Sequence, residues 1–260
     1  MQSQPSSLSK WRVIPLKIAD QQQHIDEHER LIATVEAGQP ATLYWSQADS
    51  VGLVLGFSQK REVLNLAAVE ALSIPIYHRR AGGTAVLVGP QLLSLDVVLP
   101  AGHPLILADI VESYRWFGEA WVETLRRLGV ATRIVLPQEA HSQRLLLKQA
   151  EIQEREALLR RACYGSISSF EVVAGQRKVV GLDMLRRRVG SVLQAGVLLQ
   201  WETETLAQLL GHTSEEQAVL RAELDERAVG LDALAGRKVT AEEVIAAFEG
   251  VIASGIELYY

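Results

Sequence analysis

Two strand-like segments, Phe170–Val173 and Lys178–Val180, flank the turn sequence Ala174-Gly175-Gln176-Arg177, and a third apolar segment follows at Gly190–Trp201. Glycine enters tight-turn conformations at no steric cost, so this pattern predicts a hairpin that continues into a further strand and commits the chain to a fold built on a sheet. The chain's one cysteine, Cys163, lies just before this hairpin, fifteen positions ahead of Lys178. A thiolate is the reactive form of cysteine and a nearby ammonium favours it, so a Cys and a Lys brought together by a hairpin can make an activated nucleophile. The competing reading is a small buried hydrophobe that fills the core.

The rest of the chain supplies the sheet and its cover. Asp20–Ala37 has the periodicity of an amphipathic helix closed by Gly38, followed by short strands at Ala41–Ser46 and Val51–Gly56. A helix is expected over Val63–Leu72, and strands over Ile74–Arg79, Thr84–Val88 and Leu92–Leu99. A long helix with Trp116, Phe117 and Trp121 on its apolar face is expected over Ala108–Leu128, then a strand at Ala131–Val135 and a polar, solvated helix over Gln143–Arg161. From about residue 202 to 260 the chain reads as helical, with segments Leu206–Leu210, Ser214–Arg227 and Thr240–Ala253. Thr240 and Glu243 have the spacing of a capping box. This order of elements predicts an α+β fold with a mixed or antiparallel sheet flanked by helices, and no linker or repeat divides residues 1–260 into more than one domain.

Bulk properties narrow the partners. A net charge of −5 gives no overall basic surface for nucleic acid or membrane binding. The N-terminal MQSQPSSLSKWRVIPLK has no long apolar run behind a basic start, and no stretch of about 18 uncharged apolar residues occurs, so a cytoplasmic location is expected. One cysteine forms no internal disulfide, and Cys/His metal spacings are absent, so no metal site is expected.

The run from His78 to Pro100, HRRAGGTAVLVGPQLLSLDVVLP, resembles the glycine-rich signature of the biotin/lipoate protein ligase and octanoyltransferase superfamily. Arg79, Gly82, Gly83, Ala85 and Val86 fall on that signature, with Ala81 in place of a Ser or Thr. GQRKVVG at Gly175–Gly181 is similar to the superfamily's lysine motif, and RRRVGSVLQAGVLL to the strand after it. LGFSQ at Leu55–Gln59 and LDALAGRKVTAEEVIAAF at Leu231–Phe248 are further echoes, so the resemblance spans nearly the whole chain. Cys163, Tyr164, Ser168, Phe170, Glu171 and Val172 match the catalytic-cysteine segment of single-domain octanoyltransferases and lipoyl amidotransferases, at the same distance from the lysine.

The resemblance implies an acyltransferase of lipoate metabolism. Cys163 would take an octanoyl or lipoyl group from an acyl carrier protein or an acylated H-type protein and pass it to a lysine of a lipoyl domain, with no cofactor required. It implies Lys178 as the second catalytic residue, stabilising the thiolate or donating to the acyl carbonyl oxygen, and Arg79, Gly82, Gly83, Thr84, Ala85, Gly181 and Asp183 as substrate-binding residues. The strands Thr84–Val88 and Val192–Leu199 would wall the acyl chain, and Lys178 and the Gly82-Gly83 turn would face its carbonyl from opposite sides of one cleft. Two other readings share the family: an ATP- and Mg-dependent lipoate-protein ligase, and a non-catalytic descendant that binds an acyl ligand or lipoyl domain. The chain departs from the pattern at Val88-Gly89 and Ala195, where relatives carry His-Asp and His, and at Asp183. Asp183 could tie up Lys178 in an ion pair or lie at the cleft and repel an adenylate's phosphates; it could also cap a loop or pair with Arg186, Arg187 or Arg188.

Overall fold

The computed structural model describes residues 11–146 and 149–255. In chain order its strands are β1 (Trp11–Ala19), β2 (Ala41–Ala48), β3 (Gly52–Leu55), β4 (Ile76–His78), β5 (Val86–Val88), β6 (Leu92–Pro100), β7 (Arg133–Ile134), β8 (Val172–Ala174), β9 (Arg177–Arg187) and β10 (Gly190–Leu198). The helices are α1 (Gln21–Thr34), α2 (Leu66–Ala71), α3 (Arg115–Arg127), α4 (Pro137–Leu146), α5 (Gln153–Leu159), α6 (Thr203–Leu210), α7 (Ser214–Arg227), α8 (Leu231–Ala235) and α9 (Ala241–Ala253). A seven-stranded mixed sheet runs β1-β2-β6-β10-β9-β8-β7, and a three-stranded sheet runs β4-β3-β5. The expected α+β class is therefore present, and α6 to α9 lie between Thr203 and Ala253; residues 1–10 and 256–260 lie outside the described residues.

Strand periodicity divides the large sheet into two faces. Leu43, Trp45, Leu93, Leu95, Val97, Leu193 and Val197 point to one side and pack with α3 and α9 into the main core. Trp45, Phe117, Trp121 and Phe248 meet there, with Trp121 and Phe248 only 4.5 Å apart between ring centroids. Trp45 also donates its indole N–H to Glu249 Oε1 at 3.0 Å, which satisfies the one polar group the ring brings inside. The opposite face carries Tyr44 and Ser46 on β2, Ser94 and Asp96 on β6, and Gln194 and Gly196 on β10. Over this polar face lie α1 and the small sheet, and the cavity described below opens between them.

Several elements differ from the sequence-based expectation. The strand β1 is not signalled by WRVIPLKIA because Pro15 interrupts it; the structure places that proline at the register irregularity between Ile14 and Lys17 on the sheet's edge, where a missing N–H costs no ladder bond. The helix expected from Ala108 begins only at Arg115, after a 3₁₀ turn at Glu112–Tyr114, because Asp109 and Ser113 use their side chains to bind nearby backbone. The single helix expected over Gln143–Arg161 is two, α4 and α5, and part of that stretch lies outside the described residues. Ile74–Arg79 and Thr84–Val88 form strands, but in the separate small sheet. The expected capping box is present in full, with Thr240 Oγ1 accepting from Glu243 N and Glu243 Oε2 from Thr240 N. Thr240→Ala should therefore cost about 1 kcal/mol, read by calorimetry as a Tm lower by about 2–4 °C.

Candidate active site

Cys163 begins a 3₁₀ turn, Cys163–Gly165, whose position is fixed from three sides. Its N–H donates to the carbonyl of Ala85 at 2.8 Å, and Ala85 in turn donates its own N–H to Arg161 O at 3.0 Å. Lys178 Nζ donates to the carbonyl of Cys163 at 2.8 Å. Tyr164, the next residue, is buried and lays its ring over Gly181 and Gly196, which are paired across β9 and β10. Its hydroxyl donates to Gly196 O at 2.7 Å. Burial raises the Tyr164 hydroxyl well above its usual range, so it stays a neutral donor. A β-carbon at Gly196 would come within 2.7 Å of that hydroxyl. Gly196→Ala should thus lift Tyr164 and shift Cys163 beside it, lowering the rate of acyl transfer by about 10²-fold, the loss typical of a misplaced reacting group. Adding Tyr164→Phe, which removes the colliding oxygen, should recover part of that rate; failure to recover it would show that the two positions are uncoupled.

Lys178 is buried, at 1% exposure. Its remaining donors go to Glu171 Oε1 and Oε2 at 3.0 and 3.1 Å, and its ammonium lies 5.1 Å from the centre of the Tyr164 ring. Burial raises the Glu171 carboxyl, and Lys178 together with the Ser168 and Leu182 N–H groups pulls it back only in part. All three ammonium donors are matched to acceptors, so Lys178 reaches an acyl oxygen only by releasing one of them. Its partner is Glu171, not Asp183, because residues five apart on one strand point to opposite faces.

The cavity wall contains Cys163, Tyr164, Arg79, Gly181 and Asp183, with Val54, Val86, Val88 and Leu92 supplying apolar surface. Lys178, Gly82, Gly83, Thr84 and Ala85 stand outside this lining. The glycine loop is held by Arg79, whose guanidinium donates to Gly82 O at 3.0 Å and Thr84 O at 3.1 Å. Gly83 has φ +86, and its carbonyl approaches Gly56 so closely that a β-carbon on Gly56 would lie 2.0 Å away. The contact requires glycine at position 56, and the positive φ favours it at position 83. Asp183 lies in the cavity wall and accepts the Met184 N–H at Oδ1, and its Oδ2 has no partner among the described residues; burial raises its carboxyl. Arg186 and Arg187 bind elsewhere, to Leu107 O and Glu29.

Sequence reasoning missed a second set of cavity residues. His24 and His28, one turn apart on the buried face of α1, both line it, with Asp96 and Gln194. His28 Nδ1 lies 2.9 Å from Asp96 Oδ2, and Gln194 Nε2 donates to Asp96 Oδ1 at 2.9 Å. Burial works against a charged His28, but the Asp96 carboxylate and its hydrogen bond outweigh it, so the pKa is raised. The i, i+4 spacing of the histidines on an amphipathic helix was the available signal, and Asp96 within the apolar run LLSLDVVLP was another.

This fold is similar to that of solved lipoate protein ligases. It matches the bipartite lipoate protein ligase from Thermoplasma acidophilum with a TM-score of 0.71 at 17% identity, covering 93% of this chain and 81% of that one. A lipoate-protein ligase A bound with ATP matches with a TM-score of 0.69 at 19% identity, over 94% and 84% of the two chains. At that identity these neighbours define the fold alone. The chain belongs to the lipoyl protein ligase A/B catalytic domain family, whose model matches residues 20–253. Among curated relatives it is 32% identical to the octanoyltransferase LipM of Kyrpidia tusciae, over 82% of this chain and 75% of that protein. It is 29% identical to the octanoyltransferase LipM of Exiguobacterium sibiricum, over 93% and 85%.

Proposed function

We propose that the protein is a cytoplasmic acyltransferase of lipoate metabolism that carries an octanoyl group on Cys163. The observation that carries this reading is the placement of the one cysteine in the wall of the cavity, on a turn whose backbone is tied down by Ala85 and Lys178. Val54, Val86, Val88 and Leu92 give the cavity an apolar wall beside Cys163, a surface that suits a saturated acyl chain. In the first step the Cys163 sulfur attacks the carbonyl of a carrier thioester; a new thioester forms and the carrier thiol leaves with the proton. In the second the amine of a lipoyl-domain lysine attacks the acyl-enzyme; the amide forms and the Cys163 thiol is released. Exchange between similar thioesters needs no ATP.

In this reading Lys178 is a positioning residue that fixes the Cys163 turn, Arg79 shapes the substrate-binding loop of Gly82, Gly83 and Thr84, and Ala85 ties the turn to that loop. Gly181 keeps the floor open beneath Tyr164, and Asp183 faces the acyl chain. Acyl carrier protein or an acylated H-type protein serves as donor and a lipoyl domain as acceptor. The test is intact-mass analysis after incubation with octanoyl-acyl carrier protein. The expected result is one octanoyl adduct, mapped to Cys163 and discharged by an acceptor lipoyl domain. No adduct, with transfer that needs ATP and releases pyrophosphate, would replace this reading by that of a ligase.

A further inference from the structure

The cavity is not apolar along its length. Pairing across the sheet sets two rows of residues on its cavity face. One row, Ser46, Ser94, Gly196 and Gly181, is small, and its two glycines lie under Tyr164. The next, Tyr44, Asp96, Gln194 and Asp183, is polar, and His28 of α1 sits over it. Two residues along a strand span about 7 Å, so the polar row is displaced by that distance from the floor beneath the Cys163–Tyr164 turn. An acyl chain with its carbonyl at Cys163 therefore brings its distal carbons, not its carbonyl, to the polar row.

Two members of that row, and His28 above it, keep a polar atom with no partner among the described residues. His28 is more than nine-tenths buried, at 8% exposure, yet among the described residues nothing partners its Nε2. Its Nδ1 is committed to Asp96, which itself accepts from Gln194, so Nε2 is the ring's remaining polar atom and carries a lone pair when the imidazole is neutral. The Gln194 amide is oriented by the same carboxylate, leaving Oε1 unpartnered among the described residues, and Asp183 Oδ2 is buried without a donor. An unsubstituted hydrocarbon tail would leave these acceptors unpaired, which is the arrangement buried polar groups avoid.

We propose that this end of the cavity selects an acyl group bearing a hydrogen-bond donor, O–H or S–H, on its distal carbons, accepted by Gln194 Oε1, Asp183 Oδ2 and the neutral form of His28 at Nε2. The proposal rests on the acyl-enzyme reading for the direction in which the chain lies. It deepens that reading by naming the substrate class: a hydroxylated or reduced dithiol-type acyl chain ahead of plain octanoyl.

The experiment compares pantetheine thioesters of octanoate, 8-hydroxyoctanoate, 8-mercaptooctanoate and 6,8-dimercaptooctanoate, measuring kcat/KM for pantetheine release. The expected result is a preference of about 10- to 100-fold for at least one donor-bearing chain over octanoyl, the hydroxyl and thiol arms separating the two sources. In His28→Leu and in Asp183→Ala the ratio should fall toward one. In parallel, calorimetric titration of the unaltered protein with octanamide and the corresponding hydroxy and mercapto amides reads binding without chemistry. A failure to acylate with every thioester would sink the Cys163 reading, while the amide affinities would still decide this one. Equal or tighter binding of octanamide, or equal rates for all thioesters, overturns the proposal.

Discussion

Cys163→Ala is expected to abolish acyl transfer, by about 10³-fold or more, as removal of a nucleophile does when no other group can replace it. The same substitution should change stability by no more than about 1 kcal/mol, because it removes one half-buried atom and leaves the turn's backbone anchors in place. Single-turnover transfer to a lipoyl domain measures the first quantity and thermal unfolding the second. Cys163→Ser should fold equally well and accumulate at most a slowly formed ester, since an unactivated hydroxyl is a poor nucleophile. Transfer by the alanine variant at the parent rate would remove the cysteine from the mechanism altogether. A large loss of stability would instead return Cys163 to the role of a core residue, the reading that competes with it in the sequence.

How much of this arrangement is legible in the sequence depends on how far apart the interacting residues lie along the chain. The hairpin at Ala174–Arg177 and the capping box at Thr240 are set by neighbours a few residues apart, and local chemistry suffices to find them. The Cys163 segment is legible through its fixed distance from Lys178. What the lysine touches is less so: sequence reasoning offers Asp183 as its partner, while the chain's reversal at Phe170, with φ +64, and the β8–β9 pairing deliver Glu171. The contact between His28 and Asp96 joins residues 68 positions apart on elements that meet only in the folded molecule. Neither belongs to a motif, and nothing local announces that a helix and a strand will bring them together. The edge strand β1 is hidden for the opposite reason, a local signal from Pro15 that the tertiary position of the strand makes harmless.

The largest effect on stability is expected at the pair Lys178–Glu171. Removing one member of a buried ion pair leaves the other uncompensated, so Lys178→Met should destabilise the fold by about 3–5 kcal/mol. The loss should depend on pH in a defined direction. In the parent, burial already raises the Glu171 carboxyl above its usual 4.5, with Lys178 opposing. Without Lys178 that opposition is gone and the folded-state pKa rises further. A carboxyl with a raised folded pKa contributes no penalty below its unfolded pKa, where both states are protonated, and stability falls as pH climbs from there through the folded value. Urea unfolding of Lys178→Met against the parent should therefore show a deficit that is small near pH 4 and widens toward neutrality. Glu171→Leu in the Lys178→Met background removes both charges together and should restore most of the stability. It should not restore acyl transfer, because the Cys163 carbonyl still lacks the ammonium that holds it. A double variant that regains both stability and rate would show that the lysine serves the fold alone. One that regains stability without rate would separate the positioning of Cys163 from the packing of the core.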